Sequence, residues 1–168
     1  LDFAHLKREA DHMHLVVKAE TFDLDLVLDK GKGATWHADD GVLVMGGKKD
    51  PKRRTVYYSY TNMPSRGSVV LCDPQGEKRT MQVTGKSWFD RQWGPYALIK
   101  ANTHWEWFSL RFFDDEEVML FAFPQCNYFD GTYVGKNKER KLVRDYTLTP
   151  KSYTEAAGMQ FTRGWDLV

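Results

Sequence analysis

Two cysteines in 168 residues leave nothing from which to build a disulfide framework. Cys72 and Cys126 make either a single bridge or two buried free thiols, and neither reading decides a compartment. The apolar runs are only a few residues long, so no integral membrane segment is expected. Charge of one sign is also lacking: Lys+Arg 24 stand against Asp+Glu 23, which gives no net field for drawing the chain onto nucleic acid or an anionic membrane. The one basic cluster, Lys48-Lys49-Asp50-Pro51-Lys52-Arg53-Arg54, reads as a solvated loop with a proline stop. Without a second basic stripe beside it, nucleic acid is not an expected partner. A Gly-rich phosphate loop, a Gly-x-Ser-x-Gly elbow and a spaced Cys/His pair are all missing. Of the five histidines, His12 and His14 sit two apart, but no third ligand completes a metal set, so neither metal nor cofactor is implied. The chain starts at Leu1 with no leader in view and reads as a fragment or processed form, which leaves localisation open.

Aromatic residues are plentiful. Phe 10, Tyr 8 and Trp 6 favour aromatic-lined interiors, and the length suits one domain that buries roughly two thirds of its unfolded surface. Period-two alternation dominates the pattern. In Thr21–Asp29, Phe22, Leu24, Leu26 and Leu28 point one way and Asp23, Asp25 and Asp29 the other, which predicts a half-buried antiparallel strand. Asp39-Asp40-Gly41 marks a turn before Val42–Met45. Strands are predicted at Thr55–Thr61, at Ser68–Cys72 and Thr80–Thr84 around the turn Asp73-Pro74-Gln75-Gly76, and at Trp105–Phe113 and Val118–Phe123 around an acidic turn. Further strands are expected at Gly131–Val134, Leu142–Leu148 and Phe161–Val168. Phe3–His14 carries either a short helix or a lead-in to the first strand. About nine strands with turn punctuation and no linker predict an all-β antiparallel barrel or sandwich. A closed barrel with an aromatic interior would hold one apolar ligand.

The most telling stretch is Gly85-Lys-Ser-Trp-Phe-Asp-Arg-Gln-Trp-Gly94, in which the one carboxylate, Asp90, sits among Trp88, Phe89 and Trp93. Burying a carboxylate as an ion costs several kcal/mol unless it is paired or protonated. Asp90 is therefore either a tuned proton donor or a hydrogen-bond anchor. Desolvation raises a carboxyl pKa, which keeps such a group protonated near neutrality, and aromatic faces stabilise a cation by roughly 0.5–2 kcal/mol each. Protonation of an alkene followed by attack of water needs those two provisions. Trp105 and Trp107 share one face of their strand, with Glu106 and Phe108 on the other; Tyr58 and Tyr60 likewise share a face. The two tyrosines either orient a ligand or pack half-buried, and Glu106 either faces solvent or joins Asp90 in paired acid/base work.

Tyr57-Tyr58-Ser59-Tyr60, then Gly67, then the Gly85–Gly94 block, then Trp105-Glu106-Trp107-Phe108 and the pair Met119-Leu120 occur in an order that resembles the AttH and carotenoid 1,2-hydratase family, also called hydroxyneurosporene-synthase-like. The match is good over roughly residues 20–125 and looser from Gly131 to Trp165. The resemblance implies lipocalin-like β-barrels in tandem, with residues 1–125 one barrel and 126–168 either more strands of it or the start of a second half. It also implies that Asp90 occupies the place of the hydratases' essential acid and Trp88 that of an aromatic. Many relatives have His after the motif Asp, where this chain has Arg91, and an Asp90–Arg91 pair would favour anchoring over proton donation.

The expected function is lipocalin-like binding of a bulky hydrophobic small molecule, of isoprenoid or lipid type, by Trp88, Trp93, Tyr58, Tyr60, Trp105 and Trp107. The alternative is a hydratase or lyase adding water to a carbon–carbon double bond with Asp90 as general acid. A carbohydrate-active sandwich using Asp90 and Glu106 as a carboxylate pair ranks behind both.

Overall fold

The computed structural model describes residues 3–44, 54–94 and 104–168. Residues 48–53 of the basic cluster lie outside that set, as do Met45 and the side chain of Cys126; Cys72 is a free thiol. Every long element is a strand and every ladder is antiparallel, as the alternation predicts. No α-helix occurs among the described residues.

Strands β1 (Ala4–Arg8), β2 (His12–Lys18), β3 (Phe22–Asp29), β4 (Thr35–Trp36), β5 (Val42–Val44), β6 (Arg54–Cys72) and β7 (Lys78–Trp93) form one seven-stranded sheet. Phe3–His14 is thus the first hairpin of that sheet and not a helix. Val16 and Val17 on β2 are β-branched, and a free sheet edge lay open for β1 to join. Strand β6 is 19 residues long and joins the two strands expected at 55–61 and 68–72. A register shift between Tyr60 and Met63 carries it past Pro64, where a regular ladder would break. One edge of β6 pairs in turn with β3, β4 and β5, while β7 lies along the other. Gly67, at φ 151°, meets the β3 backbone so closely that an added Cβ would stand 2.0 Å from the Asp25 carbonyl oxygen. Gly94, at φ 137°, closes β7 with room for a Cβ only 2.7 Å from the Arg54 carbonyl oxygen.

A second sheet runs β11 (Arg140–Leu142), β10 (Tyr128–Val134), β9 (Glu117–Phe123), β8 (Glu106–Arg111). The β9–β10 ladder crosses the boundary expected at residue 125. Residues 143–147 are not strand, so the strand predicted at Leu142–Leu148 divides into β11 and β12 (Leu148–Ala156). Among the described residues strand β12 pairs only with β13 (Met159–Leu167), and that hairpin leans on β8 where the Phe108 and Trp165 rings meet edge to face at 5.3 Å. Among the described residues the ladders do not close into a ring.

The N-terminal half of β6 is buried on both faces. Tyr57, Ser59 and Thr61 point toward the second sheet, where Tyr57 packs with Met119, Phe121, Phe123, Ala38 and Leu43. Tyr58 and Tyr60 point the other way, onto Met13, Leu28 and Met63. A buried polar clamp ties the two sheets together. Glu117 on β9 is fully buried and accepts from Lys32 Nζ (3.0 Å), Asn62 Nδ2 (2.7 Å) and Thr61 Oγ1 (3.2 Å), while Lys32 also donates to the carbonyls of Asp115 and Gly135.

Candidate functional site

Strand alternation sorts the Gly85–Gly94 block into two faces. Trp88, Asp90 and Gln92 turn toward the second sheet, and Phe89, Arg91 and Trp93 turn away from it. Of the motif's three aromatics, Trp88 therefore shares the face of the carboxylate, while Phe89 and Trp93 do not. Trp93 lies edge-on to Tyr58 at 6.0 Å with the Arg91 guanidinium 5.7 Å over its ring, and Tyr58 and Tyr60 complete that group, their hydroxyls facing Arg8. Of the expected ligand-binding residues, Trp93, Tyr58 and Tyr60 are thus together on the face opposite Asp90. Arg91 makes no ion pair with Asp90, because neighbours on a strand project to opposite sides.

On the other face, Asp90 is opposite Ser59 in the β6–β7 register. Its Oδ1 accepts from the Ser59 hydroxyl and from Trp88 Nε1 at 2.9 Å. The Tyr57 hydroxyl lies beside it and accepts from Trp107 Nε1 at 3.0 Å. Burial, and then the charge of Asp90, push the Tyr57 phenol well above its ordinary pKa, so it stays a neutral donor. Trp88 and Trp107 meet edge to face at 6.2 Å. Tyr57, Asp90, Gln92, Trp105, Trp107 and Phe121 line a cavity of about 230 Å³. Asp90, Trp105 and Trp107 are exposed at its mouth, while Tyr57 and Phe121 are buried at its floor. The Trp105 and Trp107 side chains share this face, as their spacing predicts.

Glu106 faces elsewhere. It lines an adjoining cavity of about 670 Å³ with His104, Tyr153, Met159 and Phe161 under the β12–β13 hairpin, which shares Trp105 with the Asp90 cavity, and burial pushes its carboxyl upward. The Asp90–Glu106 pair that a carbohydrate site would need is therefore not assembled. A larger groove of about 810 Å³, apolar along Phe22, Leu24, Val69 and Leu71, lies at the far end of the first sheet. It holds none of the site residues, and its size alone gives it no chemistry.

Sequence reasoning missed Tyr57, Ser59, Phe121 and His37. Tyr57 and Ser59 were within the quoted motif, on the face opposite Tyr58, so strand parity was the signal that could have found them. His37 lay unmarked beside a two-residue strand. Among the described residues no cluster of His, Cys, Asp and Glu has the makings of a metal site, and His14 pairs instead with Asp25 at 2.7 Å. Among the described residues no helix is long and apolar enough to cross a membrane.

The AttH-like family model matches residues 1–168. Two solved structures share the fold. A protein of Nitrosomonas europaea assigned as an AttH has a TM-score of 0.76 at 22% identity, over 92% of this chain and 48% of its own. Kievitone hydratase from Nectria haematococca has a TM-score of 0.76 at 22% identity, over 100% of this chain and 53% of its own. The chain thus spans about half the length of both. No curated protein sequence matches it.

Proposed function

The chain belongs to the AttH-like family, and from that premise we propose that it binds an unsaturated apolar small molecule at the indole-lined cavity and adds water across a carbon–carbon double bond of it. The carrying observation is the position of Asp90, on the wall of an aromatic cavity and clear of Arg91. Proton transfer from the Asp90 carboxyl to one alkene carbon leaves a cation on its neighbour. The Trp107 and Trp105 rings and the Tyr57 ring stand where that charge would form, each worth roughly 0.5–2 kcal/mol. Water adds to the cation and returns a proton to the Asp90 carboxylate, so the cycle closes without a cofactor. A cavity of about 230 Å³ is below the roughly 300–1,000 Å³ of sites that enclose a whole drug-sized ligand. It takes one ring or one branched terminus of an isoprenoid or lipid type of ligand, with the remainder lying across the exposed Trp105 and Trp107.

A binder without chemistry is the second reading. It is favoured by the two hydrogen bonds that already hold the exposed Asp90 from Ser59 and Trp88. In either case we read the open sheets as the lipocalin-like unit of a tandem. The β9–β10 ladder supports assigning residues 126–142 to the first unit and taking the β12–β13 hairpin as the part that leaves it.

Kievitone, named by one structural relative, and acyclic isoprenoid alkenes are the first substrates to try. Incubation in 18O-labelled water followed by mass spectrometry should give a product heavier by one labelled water. Asp90→Asn should lose that product while still melting cooperatively, since an amide oxygen still accepts from Ser59 and Trp88. Binding without a hydrated product in the wild-type chain decides for the second reading. A collapsed transition in Asp90→Asn makes the residue an anchor, and no binding of any alkene overturns both readings.

A further inference from the structure

The Asp90 carboxylate is the outer end of a hydrogen-bonded chain that runs inward through the molecule. Ser59 Oγ lies 2.7 Å from His37 Nε2, and His37 Nδ1 lies 2.9 Å from Thr132 Oγ1 on β10. Ser59 and His37 are fully buried and Thr132 is nearly so. A serine hydroxyl has one hydrogen to give, and in this geometry Ser59 gives it to Asp90. Its oxygen must then accept from His37, so Nε2 carries the imidazole proton and Nδ1 accepts from Thr132. The opposite tautomer would need the Ser59 hydrogen for Nε2 and would take it away from Asp90.

The surroundings hold the ring in place. The His37 backbone N–H donates to the Tyr57 carbonyl at 3.1 Å, and its ring lies on that of Tyr57 with centroids 4.3 Å apart. The Arg140 guanidinium caps the next two carbonyls, of Ala38 at 2.8 Å and Asp39 at 3.1 Å. Desolvation holds the imidazole neutral, with a pKa lowered to about 3, so it stays a single-proton ring.

We propose that His37 is a positioning residue of this site: as the Nε2–H tautomer it turns the Ser59 hydroxyl outward onto Asp90 Oδ1, so that Oδ2 is the oxygen the ligand meets. Both Ser59 and Trp88 bond to Oδ1, which divides the carboxylate into a held oxygen and a working one. This role rests on the reading of Asp90 as the functional group. The chain of hydrogen bonds can nevertheless be read without any substrate.

Side-chain 15N spectra of the wild-type chain should show His37 protonated at Nε2 and bare at Nδ1, whatever its ligands prove to be. The Trp88 indole N–H resonance, which reports on Asp90 Oδ1, should move in Ser59→Ala and move in the same direction in His37→Phe. His37→Gln, whose amide can donate to Ser59, should restore it toward the wild-type position. A His37 proton on Nδ1 overturns the proposal, as does a folded His37→Phe chain whose Trp88 signal is unmoved. If His37→Phe does not fold, the wild-type tautomer and the His37→Gln spectrum decide. Failure of every alkene to bind would sink the hydratase reading and leave these spectra as they are.

Discussion

Replacing Lys32 by methionine isolates a buried charge. The ammonium sits 3.0 Å from Glu117 Oε2, with the lysine side chain 12% exposed and the glutamate 1%. Methionine keeps most of the aliphatic stem but leaves the Glu117 carboxylate without its counter-charge, and breaking a buried pair in this way costs about 3–5 kcal/mol. Asn62 and Thr61 still donate to the carboxylate, which argues for the lower half of that range. The lost bonds to the Asp115 and Gly135 carbonyls argue for the upper half. Against a typical total of about 5–15 kcal/mol, the substitution removes a large share of the stability. It should lower the thermal midpoint by about 6–20 °C at about 2–4 °C per kcal/mol for a chain of this size. The clamp joins β6 and β9, which carry Tyr57 and Phe121, so the Asp90 cavity should lose its floor at the same time. Urea denaturation of wild type, Lys32→Met, Glu117→Gln and the double variant closes the cycle. Removing the stranded charge with Glu117→Gln should recover at least about 1–2 kcal/mol in the Lys32→Met background, because the two changes share one interaction. A single-variant loss below about 1 kcal/mol, the range of exposed pairs, would refute the argument, and so would strict additivity.

Other consequences follow from the same geometry. Because the folded-state pKa of His37 is depressed to about 3 from 6.5, the unfolded chain binds the extra proton as pH falls below about 6.5. The stability held above that pH should therefore fall by about 1.4 kcal/mol per unit down to about pH 3 from this one group. His37→Gln should flatten the slope between pH 6 and 4, a window roughly bounded by those two values; parallel curves in urea titrations at each pH would count against a neutral buried ring. Trp107→Phe removes the bond to the Tyr57 hydroxyl and shrinks one wall of the cavity, and should weaken binding of an uncharged apolar fluorescent probe such as N-phenyl-1-naphthylamine about 5- to 20-fold. Trp93→Phe, on the opposite face, and Glu106→Gln, in the other cavity, should leave the same isotherm within about two-fold. A large effect from either would move the ligand away from Asp90.

The architecture was legible wherever alternation was clean and a turn was explicit. Phe22–Asp29, the Asp73–Gly76 hairpin and the acidic turn before β9 all stand where their residues put them. Legibility failed at the joins. Pro64 and Gly67 look like a break between two strands, yet a register shift and a close approach to β3 carry β6 straight through. The first hairpin was ambiguous because His5, Lys7, His12 and His14 dilute its apolar pattern, and what makes it sheet is pairing of β2 with the next strand, β3, which a reading confined to Phe3–His14 does not include. Residues 143–147 fail as strand although they follow one: the Tyr146 hydroxyl reaches across to the Phe121 and Asp130 carbonyls, and the backbone there serves that contact instead of a ladder.

At the candidate site the same contrast has a mechanical cause. Asp90 is conspicuous as a lone acid among indoles, but which indoles meet it depends on the parity of one strand. Trp88 is two residues before Asp90 and shares its face, while Trp93 is three after and does not. The same parity that sends Trp93 to Tyr58 removes Arg91 from the carboxylate, so the Asp90–Arg91 pair that the sequence left open does not form. Besides Trp88, the partner that holds Asp90 is Ser59 on β6, some 30 residues earlier; Tyr57 lies beside the carboxylate from the same strand, and Trp107 on β8 reaches it only through the Tyr57 hydroxyl. These are ordinary strand residues until the β6–β7 register sets Ser59 opposite Asp90. His37 is one step further removed, since it belongs to the site only because a buried hydroxyl has a single hydrogen to give. A carboxylate's chemistry is settled by what donates to it, and here each donor except Trp88 arrives through long-range pairing.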